Sequence, residues 1–376
     1  MKPFIYSILF LFTVNITFSQ TKEVILKKSF KVNENTILNL DVDNVAIVFE
    51  ESFDDKIHFN YNMTFIRYPK SSMQKLLNDV SVKTSKKGNN ITLDVKNSMY
   101  VGVNSNYFYT MDSLKSAITY YWKTYRKNKS VYKAKETMLN EIANSVGNDL
   151  EDFLVKNKNK YENEEYNNSR KKDVKSFIIK APKYILFKIK ALHSNLTFKY
   201  DIEKTIDINA FKGELKFKRL LSKDNRFVLM NGFFQAEEIN GGTYNLRDVY
   251  PTKIGVISNA KLETETSNLQ IGEIGKNVQI NDFNSKLYFY NFGKDFIKFD
   301  LNGDYSKLNL YKVKTSKYNL NVFGFNTTLN MNEIKATFGI SKEKKLTKIL
   351  EKKVKLNETS SGNIEIELKN GILNIK

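Results

Sequence analysis

The sequence predicts an all-β protein: a β-solenoid, or β-helix, of short strands in coils of about 20 residues, with an inserted α-helical segment. Three observations predict this fold. A short apolar phrase recurs along the C-terminal half, a second apolar stretch alternates with it, and one internal segment replaces both with helical spacing. A repeat of this length favours a solenoid over a propeller, whose blades need about 40 residues each.

The first 19 residues have the features of a signal peptide. Lys2 supplies a positive charge, residues 4–12 are apolar, and Thr17 and Ser19 stand at the two positions that a signal peptidase inspects. We expect cleavage after Ser19 and export to the periplasm, the cell surface or the medium. The apolar run is shorter than the ~20 residues of a transmembrane helix, and no later stretch is long enough, so no span is expected in the mature chain.

Residues 20–98 form the predicted N-terminal β part of the solenoid. Ile57, Phe59 and Tyr61 alternate with polar residues, as in a strand that is buried on one face. His58 falls on the opposite face of that strand and is predicted to be an ordinary surface residue.

Residues 99–175 interrupt the strand pattern with a charged helical insertion and a polar linker. Apolar residues recur there at helical spacing, first at Leu114, Ile118, Tyr121 and Tyr125. A basic stretch is followed by an acidic one, which predicts an antiparallel helical pair of complementary charge. The alternative is a basic helix that rests on a membrane surface or a partner through Trp122.

Residues 176–340 carry the repeated phrase, in which a small residue precedes two apolar residues that are two positions apart. Ser285 to Phe289 returns as Ser306 to Leu310, 21 residues later. The phrase predicts a first inward column of Leu196, Leu215, Tyr244, Leu269, Leu287, Leu308 and Leu329. It predicts a second inward column of Phe198, Phe217, Leu246, Ile271, Phe289, Leu310 and Met331. Residues 341–376 are predicted to be a charged segment with closing strands.

The small residue before each phrase is predicted to stand at a corner of the coil. Equivalent backbones stack there at about 4.8 Å, which leaves little room for a branched side chain. Gly also adopts unusual backbone angles, and Ser or Thr can bond the amides of their own turn. The predicted corner residues are Ser194, Gly213, Gly242, Ser267, Ser285, Ser306 and Thr327.

The stretch SFIIKAPKYILFKIKALHSNLTFKYDIEKTIDINAFKGELKF, residues 176–217, resembles bacterial adhesin domains with a β-helix fold. These include the auto-transporter adhesin head, or GIN, family and related exported domains of unknown function. The matching elements are a strand that enters a bend at Pro182 and strand phrases separated by Ser, Gly and Asn; residues 28–51 resemble the opening strands. The resemblance implies a β-helix and an adhesin-like role but no functional residue, and the interruption at 99–175 departs from the family.

Composition argues against several kinds of site. Cysteine is absent, which excludes disulfides, thiolate metal sites and a cysteine nucleophile. His58 and His193 are the only histidines, so neither a metal nor a cofactor is expected. The net charge of +19 would suit nucleic acid, but an exported protein meets little of it, so no nucleic-acid partner is expected. A lysine-rich solvated surface is the preferred interpretation, and an acidic glycan or envelope component is the alternative partner.

These features predict a non-enzymatic, exported, adhesin-like or envelope-associated scaffold or binding protein. The alternatives are a periplasmic accessory or signalling partner and an extracellular polysaccharide-processing enzyme. An enzyme of that kind would need acids at corresponding positions of neighbouring coils. Asp282, Asp300 and Asp304 come nearest, but they fall in or beside turn-like stretches, where Asp is common. No catalytic residue is therefore expected.

The predicted binding residues are Tyr290, Tyr311, Lys286 and Lys307. Stacked coils convert a repeated outward residue into a ladder, so the two tyrosines are expected to lie one above the other. Lysines beside an aromatic ladder would suit a sugar chain that carries acidic groups. The alternative is that the tyrosines only cover a strand face, where aromatic residues are favoured.

Overall fold

The computed structural model describes residues 20–97, 172–313, 319–331, 348–352 and 362–376. Among them, 72% are in strands and 4% in helix, which confirms the predicted all-β class. The signal peptide and the helical pair lie outside the described residues and stay predictions. No helix in the described ranges has the length and apolar character to cross a membrane.

The chain divides into two compact units. One comprises residues 1–22, 64–73 and 99–174, most of which lie outside the described residues. The other comprises residues 23–63, 74–98 and 175–376 and contains the strands on which the candidate site lies.

The described residues form 21 strands, joined in one large open sheet, and one helix that the sequence did not predict. The N-terminal elements are β1 (Gln20–Lys31), β2 (Ile37–Asp43), β3 (Ala46–Glu51), β4 (Lys56–Ile66), α1 (Lys70–Asn78), β5 (Val80–Lys87) and β6 (Asn90–Asn97). The middle elements are β7 (Lys172–Ala181), β8 (Leu186–Leu192), β9 (Asn195–Phe198), β10 (Ile206–Leu220), β11 (Arg226–Glu265), β12 (Asn268–Ile274), β13 (Val278–Phe283) and β14 (Lys286–Phe289). The C-terminal elements are β15 (Lys298–Asp304), β16 (Lys307–Leu310), β17 (Asn319–Phe325), β18 (Thr328–Met331), β19 (Lys348–Lys352), β20 (Asn363–Lys369) and β21 (Ile372–Ile375).

Most strands belong to rungs, a rung being a first arm, a corner and a second arm in chain order. β13 and β14 form one rung, and β15 and β16 form another. The first arms pair in parallel, as do the second arms, so that Leu287 lies opposite Leu308 and Phe289 opposite Leu310. All four side chains are fully buried, whereas Lys286 is exposed. The predicted inward and outward assignment of this phrase is confirmed.

Ten rungs turn the corner at a residue in the left-handed region of backbone angles. Asn and Asp supply most of these residues because their short polar side chains tolerate that conformation. The corner residues are Asn44, His193, Lys212, Asn231, Asp248, Thr266, Asn284, Tyr305, Asn326 and Asn370.

The predicted small residue follows directly after the left-handed one. A Cβ atom on Gly213 would collide with the backbone oxygen of Ser194 in the rung below. The Ser267 hydroxyl accepts a hydrogen bond from the Val249 amide at 3.1 Å and donates one to the Glu265 carbonyl at 2.8 Å. Close stacking therefore occurs at the corner of Gly213, and turn bonding occurs at the corner of Ser267, as expected.

The predicted columns are wrong at Tyr244, Leu246 and Gly242. The Tyr244 ring stacks on that of Phe227, 4.9 Å away, and residues around Phe227 pair with the first arm of β10. Tyr244 is thus a first-arm residue, and the register partner of Leu215 is Phe234. Gly232, Phe234 and Ala236 also fit the predicted phrase, and the sequence pattern chose the wrong match because the rungs of the long strand β11 are not separated by loops.

The order of strands in the sheet differs from chain order at both ends. Leu373 of β21 lies between Leu308 and Leu329 and pairs with both, so Leu329 does not follow Leu308 in the sheet. β20 likewise lies between β15 and β17. At the other end, β2 lies between β6 and β8, and β3 lies between β7 and β9. Chain order and sheet order differ because all of these rungs offer similar apolar faces, and local periodicity does not specify which faces meet.

Candidate functional site

The predicted tyrosine pair forms a stacked ladder on the surface. The rings of Tyr290 and Tyr311 are 5.1 Å apart between centroids and inclined by 18°. Their backbones hold this spacing, because the amide of Tyr290 donates to the Ile271 carbonyl and that of Tyr311 to the Phe289 carbonyl. Tyr290 is 41% exposed, so part of the ladder is open to solvent.

The predicted lysines pair with each other but do not flank the tyrosines. Lys286 is the register partner of Lys307, and both are exposed. Tyr290 lies four positions beyond Lys286, a distance of ~13 Å at the usual rise per residue. The row between them is formed by Tyr288 and its register partner Asn309.

The cation that contacts the ladder is Lys376, which the sequence analysis missed. Its Nζ atom lies 5.2 Å from the centroid of the Tyr311 ring and 3.5 Å from the Tyr311 hydroxyl. The stretch GILNIK, residues 371–376, repeats the small-residue phrase and could have indicated that Lys376 continues the Tyr290–Tyr311 column.

An asparagine ladder begins on β16, the second arm that precedes Tyr311, and continues on β21 and β18. The Asn374 side-chain amide donates to Asn309 Oδ1 at 3.1 Å, and the Asn330 amide donates to Asn374 Oδ1 at 2.8 Å. Chained amides of this kind fix the register of three neighbouring strands. The asparagine ladder therefore supports the strand that precedes Tyr311 but does not include the strand that precedes Tyr290.

The three acids considered for catalysis each have a local structural contact. Asp282 is buried and accepts hydrogen bonds from the Thr264 hydroxyl and, at 2.5 Å, from the Ser306 hydroxyl. Asp300 forms an ion pair with Lys298 at 2.9 Å. Asp304 accepts a hydrogen bond from the Asn370 side chain at 3.2 Å. Asp282 thus links Thr264 and Ser306 through hydrogen bonds inside the protein.

His58 lies in a surface relay that the sequence did not reveal. Its Nδ1 atom is 2.8 Å from the Ser29 hydroxyl, and its Nε2 atom is 2.8 Å from Asp54 Oδ1. The Ser52 hydroxyl donates to the same oxygen at 2.6 Å. The hydrogen bond from Ser52, followed by that from His58, lowers the pKa of Asp54 to about 2.

A serine, a histidine and an aspartate joined by hydrogen bonds are the residue types of a catalytic triad, in which the serine is the nucleophile. Here Ser29 is exposed, and the His58 and Asp54 side chains are 33% and 47% exposed. Acyl transfer depends on hydrogen-bond donors that act in a site from which water is excluded. We therefore interpret the relay as a surface link that joins β1, β4 and the loop before β4. His193 stands at a corner, with Nδ1 3.3 Å from Asp43.

No protein-family model matches the chain, and no curated protein matches its sequence. A crystal structure described as a "putative cell adhesion protein" from Clostridium sporogenes is similar, with 12% identity, a TM-score of 0.19, and coverage of 95% of this chain and 99% of that one. A second, described as a "putative adhesin" from Bacteroides fragilis, shows 7% identity, a TM-score of 0.30, and coverage of 95% and 98%. At these identities and TM-scores the likeness carries no functional inference for this chain.

Proposed function

We propose that the protein is an exported, non-enzymatic binding protein, an adhesin-like or envelope-associated scaffold, that recognises an acidic glycan. The stacked pair Tyr290 and Tyr311 carries this proposal, because it is an aromatic ladder that remains partly open to solvent, with Tyr290 41% exposed. Aromatic faces suit the apolar faces of sugar rings, as they suit other flat ligands.

The scaffold in this proposal is a β-solenoid. Its support comes from the parallel pairing of successive first arms and successive second arms, with a left-handed residue at each intervening corner. Inward-facing aromatic rings also stack between neighbouring rungs. The ring centroids of Phe49 and Phe198 are 4.0 Å apart, and those of Phe198 and Phe217 are 4.9 Å apart. A coil in a solenoid buries its core face against its neighbours, which explains why the same apolar phrase recurs.

The charge around the ladder favours an acidic partner. Lys376 contacts the Tyr311 ring, and Lys286 and Lys307 form a second cationic row on the same face. The whole chain carries a net charge of +19, so a polyanion is attracted from a distance as well as at contact. Exposed charges are screened by salt over about 8 Å at physiological ionic strength, so binding should weaken as salt is raised.

The proposal is tested by measuring retention of the mature protein on immobilised polygalacturonate, a chain of acidic sugars. The double substitution Tyr290→Ser and Tyr311→Ser should abolish most of the retention while leaving the circular dichroism spectrum unchanged. Tyr250→Ser, which removes an exposed tyrosine outside the ladder, is the matched control and should bind as the parent does. Equal retention of the double variant and the parent would refute the role of the ladder.

Export is tested separately, by N-terminal sequencing of the protein recovered from its native cells. We expect Gln20 as the first residue. An intact Met1 on protein that remains in the cytoplasm would contradict export and, with it, the envelope-associated role.

A further inference from the structure

A groove on the outward face of the first arms is a separate concave site. Its volume is about 380 Å³. The parallel register places Glu263, Asn281 and Asn302 in one row across its floor. It places Phe283 and Asp304 in the adjacent row. Residues of four strands, β11, β13, β15 and β20, therefore converge on one depression.

The groove offers free amides. No hydrogen bond from any described residue reaches the side chain of Asn281 or of Asn302, and both point outward on neighbouring strands. A primary amide has two donor hydrogens and an acceptor oxygen. The pair thus presents two adjacent sets of donors and acceptors to a ligand.

An aromatic edge borders these amides. Phe283 is 48% exposed and Tyr305 is 58% exposed, and their rings meet edge to face with centroids 6.0 Å apart. Phe283 lines the groove directly. Two large rings that remain in solvent beside free amides provide an apolar surface and polar contacts together, the combination that small-molecule sites use.

Both cations in the groove are already ion-paired, as are two of its carboxylates. Arg247 forms an ion pair with Glu265 at 2.6 Å, and Lys369 forms one with Glu367 at 3.3 Å. Glu263 contacts Lys261 at 2.9 Å. Carboxylates outnumber cations in the lining, although the whole chain is basic. An anionic ligand would be repelled by this excess of carboxylates. The free polar groups that the groove offers are the neutral amides of Asn281 and Asn302, which suit the hydroxyl groups of an uncharged ligand.

From these contacts we propose that the groove binds an uncharged oligosaccharide. The apolar face of a sugar ring lies against Phe283, which the Tyr305 ring supports edge to face. The hydroxyl groups of the sugar exchange hydrogen bonds with Asn281 and Asn302, and Asp304 accepts a further one. The volume lies near the lower end of the range for ligand sites, which fits a short segment of sugar chain. This site lies on a different set of strands from the tyrosine ladder and does not depend on the acidic-glycan proposal.

The test is isothermal titration of the full mature protein with two neutral probes, chitotetraose and maltotetraose. We expect saturable binding of at least one probe. The double substitution Asn281→Ala and Asn302→Ala should weaken it by about tenfold, which corresponds to 1.4 kcal/mol. The ladder variant Tyr290→Ser and Tyr311→Ser should bind the neutral probe as the parent does, so that the two proposals fail independently.

Phe283→Ser provides a second variant at an exposed position and should also weaken binding while the melting temperature stays close to that of the parent. The proposal is overturned if neither probe binds at millimolar concentration. It is also overturned if both groove variants bind as tightly as the parent, or if polygalacturonate competes for the same site.

Discussion

The side chain of Thr252 lies at the register position of Leu269, fully buried in the core, and no described residue hydrogen-bonds to its hydroxyl. A buried polar group without a partner loses its hydration without compensation. We expect Thr252→Val, which keeps the shape and removes the hydroxyl, to raise the free energy of unfolding by about 1 kcal/mol. Urea denaturation of the two proteins measures the difference.

Thr264→Val is the matched control for that substitution. Thr264 is also buried, but its hydroxyl donates to the carboxylate of Asp282. Removing it leaves a buried acceptor short of a donor, so we expect a loss of about 1–3 kcal/mol. A stabilising effect of both substitutions, or of neither, would show that hydrogen bonding does not distinguish the two hydroxyls.

The inward and outward assignment of the repeated phrase is tested at two neighbouring residues. Leu308 is fully buried between Leu287 and Leu373, whereas Lys307 is exposed. Leu308→Ala should lower the free energy of unfolding by about 2–5 kcal/mol because it leaves a cavity. Lys307→Ala should change it by no more than about 0.5 kcal/mol. Equal losses in thermal or urea unfolding would contradict the assignment.

Local patterns predicted those parts of the fold that local geometry determines. The alternation at 285–289 and 306–310 identified the buried side chains, because the side-chain period of a strand is two. The same periodicity predicted that Tyr290 lies over Tyr311. It could not determine that β21 lies between β16 and β18, because the choice of neighbour depends on which apolar faces meet across many residues of chain.

Neither the groove nor the His58 relay could be predicted from the sequence, because each depends on which strands become neighbours. Asn281 and Asn302 are 21 residues apart and become adjacent only through the register of β13 with β15. Ser29, Asp54 and His58 come together only when β1 lies beside β4. Their residue types are common on surfaces, so no motif marks them. The contact of Lys376 with the ladder could have been predicted, since its phrase repeats that of residues 306–311.

The relay has a pH dependence that can be measured at Asp54. Its pKa is lowered from 3.8 to about 2, first by the Ser52 hydrogen bond and then by His58. A carboxyl group with a lowered pKa in the folded state contributes its full stability above the unfolded value and loses it as the pH falls toward the folded value. The contribution of Asp54 should therefore be complete above pH 3.8 and should disappear between pH 3.8 and about 2.

An NMR titration of the Asp54 carboxyl carbon provides the measurement. We expect a midpoint near 2 in the parent, and a midpoint closer to 3.8 in Ser52→Ala, because that variant lacks the strongest of the hydrogen bonds. Ser85→Ala, at an exposed serine of β5, is the control and should leave the midpoint unchanged. A Ser52→Ala titration that coincides with that of the parent would mean that Ser52 does not hold the carboxylate.

The position of β20 between two other first arms gives the last prediction. Ile366 is fully buried and pairs with Leu301 on one side and Val322 on the other. Ile366→Asp places an unpaired carboxylate in the core, which is among the most destabilising changes in a protein. Because β20 supports both neighbours, amide hydrogen exchange should accelerate in β15 and in β17 together. Glu367→Gln, on the outward face of the same strand, should leave both protected. If chain order were also sheet order, β15 would pair directly with β17, and β20 would contact only β17. Faster exchange confined to β17 would therefore contradict the observed arrangement.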